Sequence, residues 1–211
     1  MNSASHRPKL VLATANPGKV KELRELLAPA GVECISLEGL HGVPVVEETG
    51  RTYEENAALK ARAIAAWAGL AALADDSGLE VDALEGAPGV DSAYYAGRPA
   101  DDAANVAKLL RALEGVPPER RQARFRCVLV VVRPDGKVLA SEGICEGRIA
   151  LAPRGQQGFG YDPIFIPEGS DKTFAELGPE FKRHYSHRAR AARKLRERLR
   201  NFLTEQCVTA D

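Results

Sequence analysis

In residues 9–20 the chain reads KLVLATANPGKV. The first half is apolar and predicts a buried strand, and Asn16 is a good N-cap for a helix whose first position is taken by Pro17. Apolar residues then recur at helical spacing, which predicts one buried face on that helix. Because α/β domains are built from strands that run directly into helices, this stretch favours an α/β fold.

The rest of the chain repeats this alternation and then departs from it. In order, the predicted elements are a strand over residues 32–37, a helix over 53–68 opened by the capping box Thr52–Glu55, a strand over 71–74, a helix capped by Asp101 or Asp102, a hairpin of residues 124–133 and 137–142, and a helix capped by Ser186. Alternation followed by a hairpin predicts an α/β domain with a mixed central sheet flanked by helices. The hairpin region could form a second lobe, whose boundary we leave open.

Length and composition restrict the function classes. The chain has 211 residues, of which 45% are hydrophobic and 27% charged, as expected for a soluble globular protein with one large or two small domains. The net charge is zero, so the molecule as a whole has no attraction for nucleic acid or for an anionic membrane. Phosphate binding would therefore depend on a local cluster of residues.

Cysteine usage and apolar runs bear on the compartment. The cysteines are Cys34, Cys127, Cys145 and Cys207. No two have the spacing of metal ligands, so we expect free thiols in a reducing compartment rather than disulfides or a zinc site. Residues 1–9 are polar, and the longest strongly apolar run, residues 127–132, is too short to cross a bilayer. These features predict a cytoplasmic protein.

The turn between the first strand and the first helix is a candidate phosphate site. It comprises Thr14, Ala15, Asn16, Pro17, Gly18 and Lys19. Backbone N–H groups at a helix N-terminus attract anions, as does the helix dipole, and Lys19 adds a positive charge. The spacing is neither that of a P-loop nor that of a dinucleotide fingerprint. Taken alone, a plain strand-to-helix connection is therefore the simpler interpretation.

Two acidic pairs are candidate metal ligands. Asp75 and Asp76 follow the short strand, which would put them at its carboxyl end, where open α/β sheets bind ligands. Glu47 and Glu48 precede the helix that leads back to this strand, so Glu48 and Asp76 could meet. Carboxylates at one edge suit Mg²⁺, which takes oxygen ligands and keeps waters and substrate phosphates. An acidic turn and solvated glutamates are the alternative interpretation.

A loop rich in glycine could display aromatic rings. Residues 155–163 read GQQGFGYDP. Phe159 and Tyr161 could stack on a base, or they could pin the loop to the core.

A basic stretch lies near the start of the last helix. Lys182, His187 and Arg188 lie at or before that start and could point into a cleft. The arginines beyond residue 190 are expected on a solvated helix face.

Taken together and in this order, these segments resemble one family, the inosine/xanthosine triphosphate pyrophosphatases of the Ham1/RdgB type. The shared motifs are ATANPGKV (residues 13–20), EETGRTYEENA (47–57), ADDSGLEVDAL (74–84), GAPGVDSA (86–93), GFGYDPIF (158–165) and YSHRA (185–189). Each motif alone is weak, but six in sequence are specific. They extend over most of the chain, from Leu12 to about Leu195.

The resemblance implies an elongated, ITPase-like α/β architecture of two lobes with a substrate cleft between them. Residues 8–204 would form this single domain, with residues 1–7 and 205–211 as flexible termini. The resemblance also implies a homodimer that needs Mg²⁺. The zero net charge and the lack of a long apolar run lead us to expect a cytoplasmic protein with no nucleic-acid or membrane partner. Its activity would be the cleavage of ITP, dITP and XTP to the monophosphate and pyrophosphate, which removes non-standard purines from the nucleotide pool.

Individual roles follow from the resemblance, position by position. Glu48 and Asp76 correspond to ligands of Mg²⁺, and Asp76 also corresponds to the proton acceptor. The implied substrate-binding residues are Thr14, Ala15, Asn16, Pro17, Gly18, Lys19, Ser77, Phe159, Gly160, Tyr161, Asp162, Lys182, His187 and Arg188. The first six would hold the triphosphate, and those from Phe159 onwards would surround the nucleotide, mainly its base.

Several alternatives stay open at this level. A Maf-type nucleotide pyrophosphatase would cleave the same bond in other nucleotides, but the segments GFGYDP and SHR argue against it. A non-catalytic nucleotide or nucleic-acid binder could use the basic last helix, but a pure phosphate binder gains nothing from carboxylates. Spacing does not distinguish Glu47 from Glu48 as the metal ligand, or Asp75 from Asp76 as the base.

Overall fold

The computed structural model describes residues 7–205. The strands within this range are β1 Lys9–Leu12, β2 Glu33–Ser36, β3 Ala72–Val81, β4 Gln122–Val132, β5 Val138–Ile149 and β6 Phe165–Pro167. The α-helices are α1 Pro17–Leu27, α2 Tyr53–Ala68, α3 Asp102–Ala112, α4 Phe174–Tyr185 and α5 His187–Thr204. Short 3₁₀ turns lie between several of these elements.

The strands form one sheet in the order β2-β1-β3-β4-β5-β6. β1 pairs in parallel with β2 and with β3, whereas β5 and β6 are antiparallel. A tight turn joins β4 to β5, and in it the Gly136 N–H donates to the Arg133 carbonyl oxygen. The sheet is therefore mixed and the flanking elements are helical, which confirms the predicted α/β class.

β3 is longer than predicted. We expected a strand over residues 71–74 with Asp75 and Asp76 at its carboxyl end, but β3 continues through both acids to Val81. That predicted placement is wrong. The DDSG segment has the composition of a turn, but it is extended because it pairs with a neighbouring strand, and composition does not show such pairing. Pairing between β3 and β1 ends where Leu12 lies opposite Leu73. The two acids thus lie just beyond the carboxyl end of β1 rather than that of β3.

Local capping signals predicted the helix starts correctly. Asn16 caps α1, and the capping box of Thr52 and Glu55 opens α2. Of the two candidates at the start of α3, Asp101 is the cap, and its Oδ1 accepts from the Ala104 N–H at 3.0 Å. These side chains satisfy backbone donors that have no partner within the helix, so the start of each helix is encoded locally.

Helix α4 was not predicted. Thr173 and Glu176 form a capping box at its start, but the backbone at Gly178 is not helical (φ 78°), and Pro179 follows. A glycine and a proline inside a short segment interrupt the apolar periodicity from which a helix is recognised. The helix forms nevertheless, because Phe174 and Ala175 are buried in the core.

The described chain divides into two compact units, each with its own core. The first unit comprises residues 7–76, 128–141 and 191–205, and the second comprises residues 77–127 and 142–190. Fully buried side chains of the first include Leu12, Leu23, Ile64, Leu73 and Leu199. In the second, leucines of β3 and α3 pack with an aromatic cluster in which the Phe125 and Phe165 ring centroids are 4.6 Å apart. A substrate cleft between two lobes, and a single domain over residues 8–204, stay predictions.

The described cysteines agree with the expectation of free thiols. Cys34, Cys127 and Cys145 are unbridged, and burial raises the pKa of Cys34 and of Cys145 to about 11. None of the helices between residues 7 and 205 is long and apolar enough to cross a membrane. The predicted flexible termini, residues 1–7 and 205–211, lie outside the described residues except for Arg7 and Glu205, and Cys207 also lies outside them.

Candidate active site

The β1–α1 loop is shaped by its own polar side chains. Thr14 Oγ1 accepts a hydrogen bond from the Asn16 N–H at 3.2 Å, and Asn16 Oδ1 accepts one from the Lys19 N–H at 3.0 Å. The loop residues Thr14, Ala15, Asn16, Pro17, Gly18 and Lys19 are all exposed or half-buried. The N-terminus of α1 is thus accessible, as an anion site requires.

Lys19 joins this loop to β3. Its ammonium lies 2.7 Å from Asp75 Oδ1 and 3.4 Å from the Asp75 carbonyl oxygen. The Asp75 side chain is fully buried, and Lys19 supplies an opposite charge that offsets the cost of burying the carboxylate. Successive side chains of a strand point to opposite faces, and the next residue, Asp76, accordingly meets a different helix.

Asp76 faces α2, where it meets Lys60. The Lys60 ammonium lies 2.8 Å from Asp76 Oδ1 and 3.3 Å from Glu48 Oε2, and it donates to the Asp75 carbonyl oxygen at 3.2 Å. The structure therefore brings Glu48 and Asp76 together, with one ammonium between them. Glu47 is exposed.

Burial changes the protonation chemistry of this cluster. Desolvation raises the pKa of Asp76 to about 6, because it outweighs the attraction of Lys60. Burial acts to lower the pKa of Lys60, but the carboxylates of Asp76 and Glu48 outweigh it and hold that pKa above its ordinary value. Asp76 can therefore exchange a proton near neutral pH while Lys60 stays charged.

The donor set of this cluster fits a magnesium ion. Mg²⁺ is usually bound by one or two protein carboxylates, with waters and substrate phosphates as further ligands. Glu48 and Asp76 supply two carboxylates, and their shared contact with Lys60 shows that this place accommodates a cation. In the described part of the chain no group of three or more Asp, Glu, His or Cys side chains could hold a metal. Two carboxylates alone would leave the remaining positions around such an ion to water or to phosphate oxygens.

The second unit contains a separate group built on a buried ion pair. Asp162 Oδ2 lies 2.7 Å from the Lys182 ammonium and accepts the Phe159 N–H at 2.9 Å. Asp162 and Lys182 are both nearly inaccessible to solvent. The Lys182 ammonium lies 4.6 Å from the centre of the Phe159 ring, which is half-buried. This carboxylate therefore orients the backbone of the glycine-rich loop and a lysine at the same time.

Tyr161 holds the glycine-rich loop rather than being displayed on it. It is buried, and its hydroxyl donates to the Ser92 carbonyl oxygen at 2.9 Å. Burial also raises the pKa of this phenol. For Tyr161 the expectation of a displayed ring is wrong and the alternative, a pinning aromatic, is correct. The neighbouring Gly160 N–H donates to Asp102 Oδ2 at 2.7 Å, which adds a second attachment.

The remaining predicted residues lie at the start of α5 and on β3. Arg188 Nη2 donates to Ser77 Oγ at 2.9 Å, and the His187 ring stacks on Phe125 with centroids 4.6 Å apart. Both His187 and Arg188 are buried. Ser77 directly follows Asp76 along β3, so adjacent residues of one strand belong to the carboxylate cluster and to the arginine contact.

Two residues that contact the proposed metal ligands were not among the predicted site residues. They are Lys60 and Asn56, whose Nδ2 lies 3.5 Å from Asp76 Oδ2. They lie four residues apart on α2, between the buried positions Tyr53, Ala57, Ala61 and Ile64. A polar residue on the buried face of a helix is a signal that periodicity alone could have provided. The adjacent capping box of Thr52 and Glu55 accounts only for the start of α2 and says nothing of these two positions.

The chain has well-matched relatives over nearly its whole length. Residues 10–198 match the model of the Ham1 family. A protein of Desulforamulus reducens named dITP/XTP pyrophosphatase is 54% identical over 200 residues, which cover 95% of this chain and 100% of that protein. The structure of a HAM1 protein from Coxiella burnetii matches with a TM-score of 0.82 at 44% identity, covering 92% of this chain and 99% of the other. A nucleoside-triphosphatase / dITP/XTP pyrophosphatase from Mycobacterium abscessus matches with a TM-score of 0.72 at 48% identity, covering 89% and 97%.

Proposed function

The chain belongs to the Ham1 family, and from this premise we propose that it hydrolyses dITP, XTP and ITP to the monophosphate and pyrophosphate. The observation that carries the proposal is the cluster of Glu48, Lys60 and Asp76 next to the β1–α1 loop. Lys19 and Lys60 both contact the Asp75 carbonyl oxygen, which joins loop and cluster into one place. Such an activity would clear non-standard purines from the nucleotide pool.

We propose Mg²⁺ as the cofactor, held by Glu48 and Asp76. When bound, the ion would neutralise phosphate oxygens and lower the pKa of a coordinated water. Thr14, Ala15, Asn16, Pro17, Gly18 and Lys19 would receive the triphosphate at the N-terminus of α1. The ammonium groups of Lys19 and Lys60 would add positive charge where the pyrophosphate leaves.

Asp76 is the proposed proton acceptor, with Asp75 as the alternative. Without the metal, burial raises the pKa of Asp76 to about 6. Bound Mg²⁺ would favour the charged carboxylate and lower the pKa of the attacking water, so Asp76 would mainly orient that water and accept its proton. Asp75 is bound by Lys19 and fully buried, which favours a structural role for it. Asp76→Asn should therefore lower kcat by orders of magnitude with the fold intact, and near-normal turnover would remove Asp76 from the mechanism.

The second unit offers donors and a ring suited to a purine base. We propose that Phe159 stacks on the base and that Lys182 and Arg188 supply N–H donors, with Ser77, Gly160, Tyr161, Asp162 and His187 shaping the surroundings. Hypoxanthine and xanthine have a carbonyl at C6, where adenine has an amine. Donors would pair with the carbonyl, whereas a mispaired buried amine would cost about 1–3 kcal/mol. ATP should therefore be a poor substrate.

The test is pyrophosphate release from the purified chain with Mg²⁺, comparing dITP, ITP, XTP, ATP and GTP, with EDTA as the control. We expect Mg²⁺-dependent release from the first three, with the monophosphate as the other product. Equal rates on all five nucleotides would support the proposed hydrolysis to pyrophosphate but contradict the proposed preference for dITP, ITP and XTP. Release only from other nucleotides would favour the Maf-type alternative, and no release from any would favour a non-catalytic binder.

The assembly and location are also proposals. We propose a homodimer, as the family resemblance implies, and a cytoplasmic location, where the nucleoside triphosphate pool lies. Nucleic acid and membrane are not expected partners, since the net charge of the chain is zero. Size-exclusion chromatography with light scattering would give the mass of the assembly, and the 22.7 kDa mass of a single chain would contradict the dimer.

A further inference from the structure

Asn56 lies beside the carboxylate cluster on the buried face of α2. It is 3% exposed and lies one helical turn before Lys60. Burying a primary amide is costly unless both of its ends find partners. The two ends of Asn56 have different partners, and both partners belong to segments that carry a proposed metal ligand.

The acceptor end of Asn56 holds the loop that carries Glu48. Asn56 Oδ1 accepts the backbone N–H of Gly50 at 2.8 Å. Gly50 is two residues after Glu48, in a segment without regular secondary structure. Because a backbone N–H can only donate, this bond determines which end of the amide is oxygen.

The donor end is thereby directed at Asp76. Asn56 Nδ2 lies 3.5 Å from Asp76 Oδ2, while Lys60 binds the other oxygen of that carboxylate at 2.8 Å. Both carboxylate oxygens of Asp76 therefore face donors from α2, four residues apart. An amide turned the other way would present oxygen to a carboxylate and nitrogen to an N–H.

Gly50 approaches Asn56 so closely that a side chain would not fit. A Cβ atom at Gly50 would lie 2.6 Å from Asn56 Oδ1 and 2.7 Å from Glu55 Cβ. The φ angle of Gly50 is outside the left-handed region, so its backbone does not itself require glycine. Glycine at this position serves the close contact between the loop and α2.

We propose that Asn56 is a positioning residue that holds the Glu48 loop and the Asp76 carboxylate in one geometry for the metal. This inference rests on the proposed function, in which Glu48 and Asp76 bind Mg²⁺. Partners of ligating carboxylates orient them, and their loss typically costs about 10–100-fold in metal affinity or activity. Asn56 itself need touch neither metal nor substrate.

The first test is made on metal-free protein and does not depend on activity. Asn56→Ala should speed hydrogen exchange of the Gly50 amide by about tenfold or more, because its protecting acceptor is gone. The matched control is Asn105→Ala. Asn105 is also a buried asparagine, on α3, and accepts the Ala96 N–H at 2.6 Å while donating to the Ala93 carbonyl oxygen at 3.0 Å. The Asn105→Ala variant should leave hydrogen exchange of the Gly50 amide unchanged.

The second test is the Mg²⁺ concentration that gives half-maximal pyrophosphate release from dITP. We expect Asn56→Ala to raise it by about tenfold or more and Asn105→Ala to leave it unchanged, even if both lower the melting temperature. Gly50→Ala serves if Asn56→Ala does not fold, since its new methyl group would displace the Asn56 amide without removing it. It should raise the Mg²⁺ requirement in the same direction.

The outcomes separate the two proposals. A wild-type chain that releases no pyrophosphate contradicts the proposed function, and Gly50 exchange then still decides whether Asn56 anchors the loop. Unchanged Gly50 exchange in Asn56→Ala overturns the inference whatever the activity. An active wild type with the same Mg²⁺ requirement in Asn56→Ala and Asn105→Ala overturns it as well, because the effect would then be one of general stability.

Discussion

At the scale of single residues, the proposed chemistry depends on how β3 distributes two adjacent carboxylates. Asp75 turns to Lys19, and Asp76 turns to Lys60 and Asn56. The strand alternation explains why two neighbouring acids have different partners and can have different tasks. Burial then raises the pKa of Asp76 to about 6.

The two neighbouring glutamates before α2 can be distinguished by substitution. Both glutamates are exposed, but it is Glu48 whose Oε2 lies 3.3 Å from the Lys60 ammonium. Glu48→Gln should reduce activity at fixed Mg²⁺ by about tenfold or more, because one proposed metal ligand loses its charge. Glu47→Gln is the matched control and should behave like wild type. Rates from a Mg²⁺ titration of both variants would decide, and a larger loss in Glu47→Gln would reverse the assignment.

Asp76 should also make the stability of the metal-free protein depend on pH. Between its ordinary value of 3.8 and about 6, the folded chain holds the Asp76 proton more tightly than the unfolded chain does. The free energy of unfolding should therefore fall as pH rises through this window, by on the order of 1–3 kcal/mol from this group. Above about pH 6 the loss is complete, and below about pH 4 it is absent.

The measurement is urea unfolding of wild type and Asp76→Asn, both in EDTA, from pH 4 to 8. Asp76→Asn has no titrating group at this position, so the free energy of unfolding of wild type should fall relative to that of Asp76→Asn as pH rises. A difference that stays constant, or that changes in the opposite direction, would show that the pKa of Asp76 is not raised in the folded chain.

At the scale of elements, the glycine-rich loop shows how a segment without regular structure can be rigidly held. Asp162 accepts the Phe159 N–H, Tyr161 reaches the Ser92 carbonyl oxygen, and the Gly160 N–H reaches Asp102. These attachments come from the loop itself, from a 3₁₀ turn and from α3. The loop can thus present Phe159 to a base with little ordering cost on binding.

Two glycines of this loop provide a matched pair of substitutions. Gly158 and Gly160 both have positive φ (87° and 59°), so alanine strains the backbone at either. A Cβ at Gly158 would lie 2.1 Å from Asp162 Oδ2, whereas one at Gly160 meets nothing within 4 Å. Gly158→Ala should therefore displace Asp162 and raise KM for dITP by about tenfold or more, which corresponds to a loss of about 1.4 kcal/mol. Gly160→Ala should cost stability with a smaller change in KM, and equal KM values would contradict the role of Asp162.

At the scale of the whole molecule, each of the two units contains one part of the proposed machinery. The first holds the β1–α1 loop with Glu48, Lys60 and Asp76, and the second holds Phe159 with Asp162, Lys182 and Arg188. Residues 76 and 77 are consecutive in β3 and belong to different units. The first group has charges suited to phosphates and a metal, and the second has a ring and N–H donors suited to a base.

A non-hydrolysable dITP analogue with Mg²⁺ should stabilise the entire chain against heat. Binding to the folded state alone adds about 2.7 kcal/mol at a ligand concentration 100 times Kd, which raises Tm by several degrees. EDTA should remove most of the shift, and the matching ATP analogue should produce much less of it. Thermal unfolding with each analogue measures this, and equal shifts for both analogues would contradict purine selectivity.

The local sequence by itself determined the helix starts, the fold class and the family of this protein. Asn16, Thr52, Asp101 and Ser186 mark helix starts, because a capping side chain acts on backbone donors two or three residues away. Apolar periodicity and the order of elements determined the α/β class, since burial of one helix face or strand repeats along the chain. The six ordered motifs determined the family.

Only the tertiary structure decided what depends on partners distant in sequence. The extension of β3 through DDSG comes from its neighbour β4, and α4 forms across Gly178 and Pro179 because Phe174 is buried in the second core. Tyr161 pins its loop because Ser92, 69 residues away, supplies the acceptor. The proximity of Glu48, Lys60 and Asp76, and the raised pKa of Asp76, likewise arise from burial and from contacts between segments. Such contacts depend on which segments, distant in sequence, lie next to each other in the fold, and neither composition nor periodicity shows this.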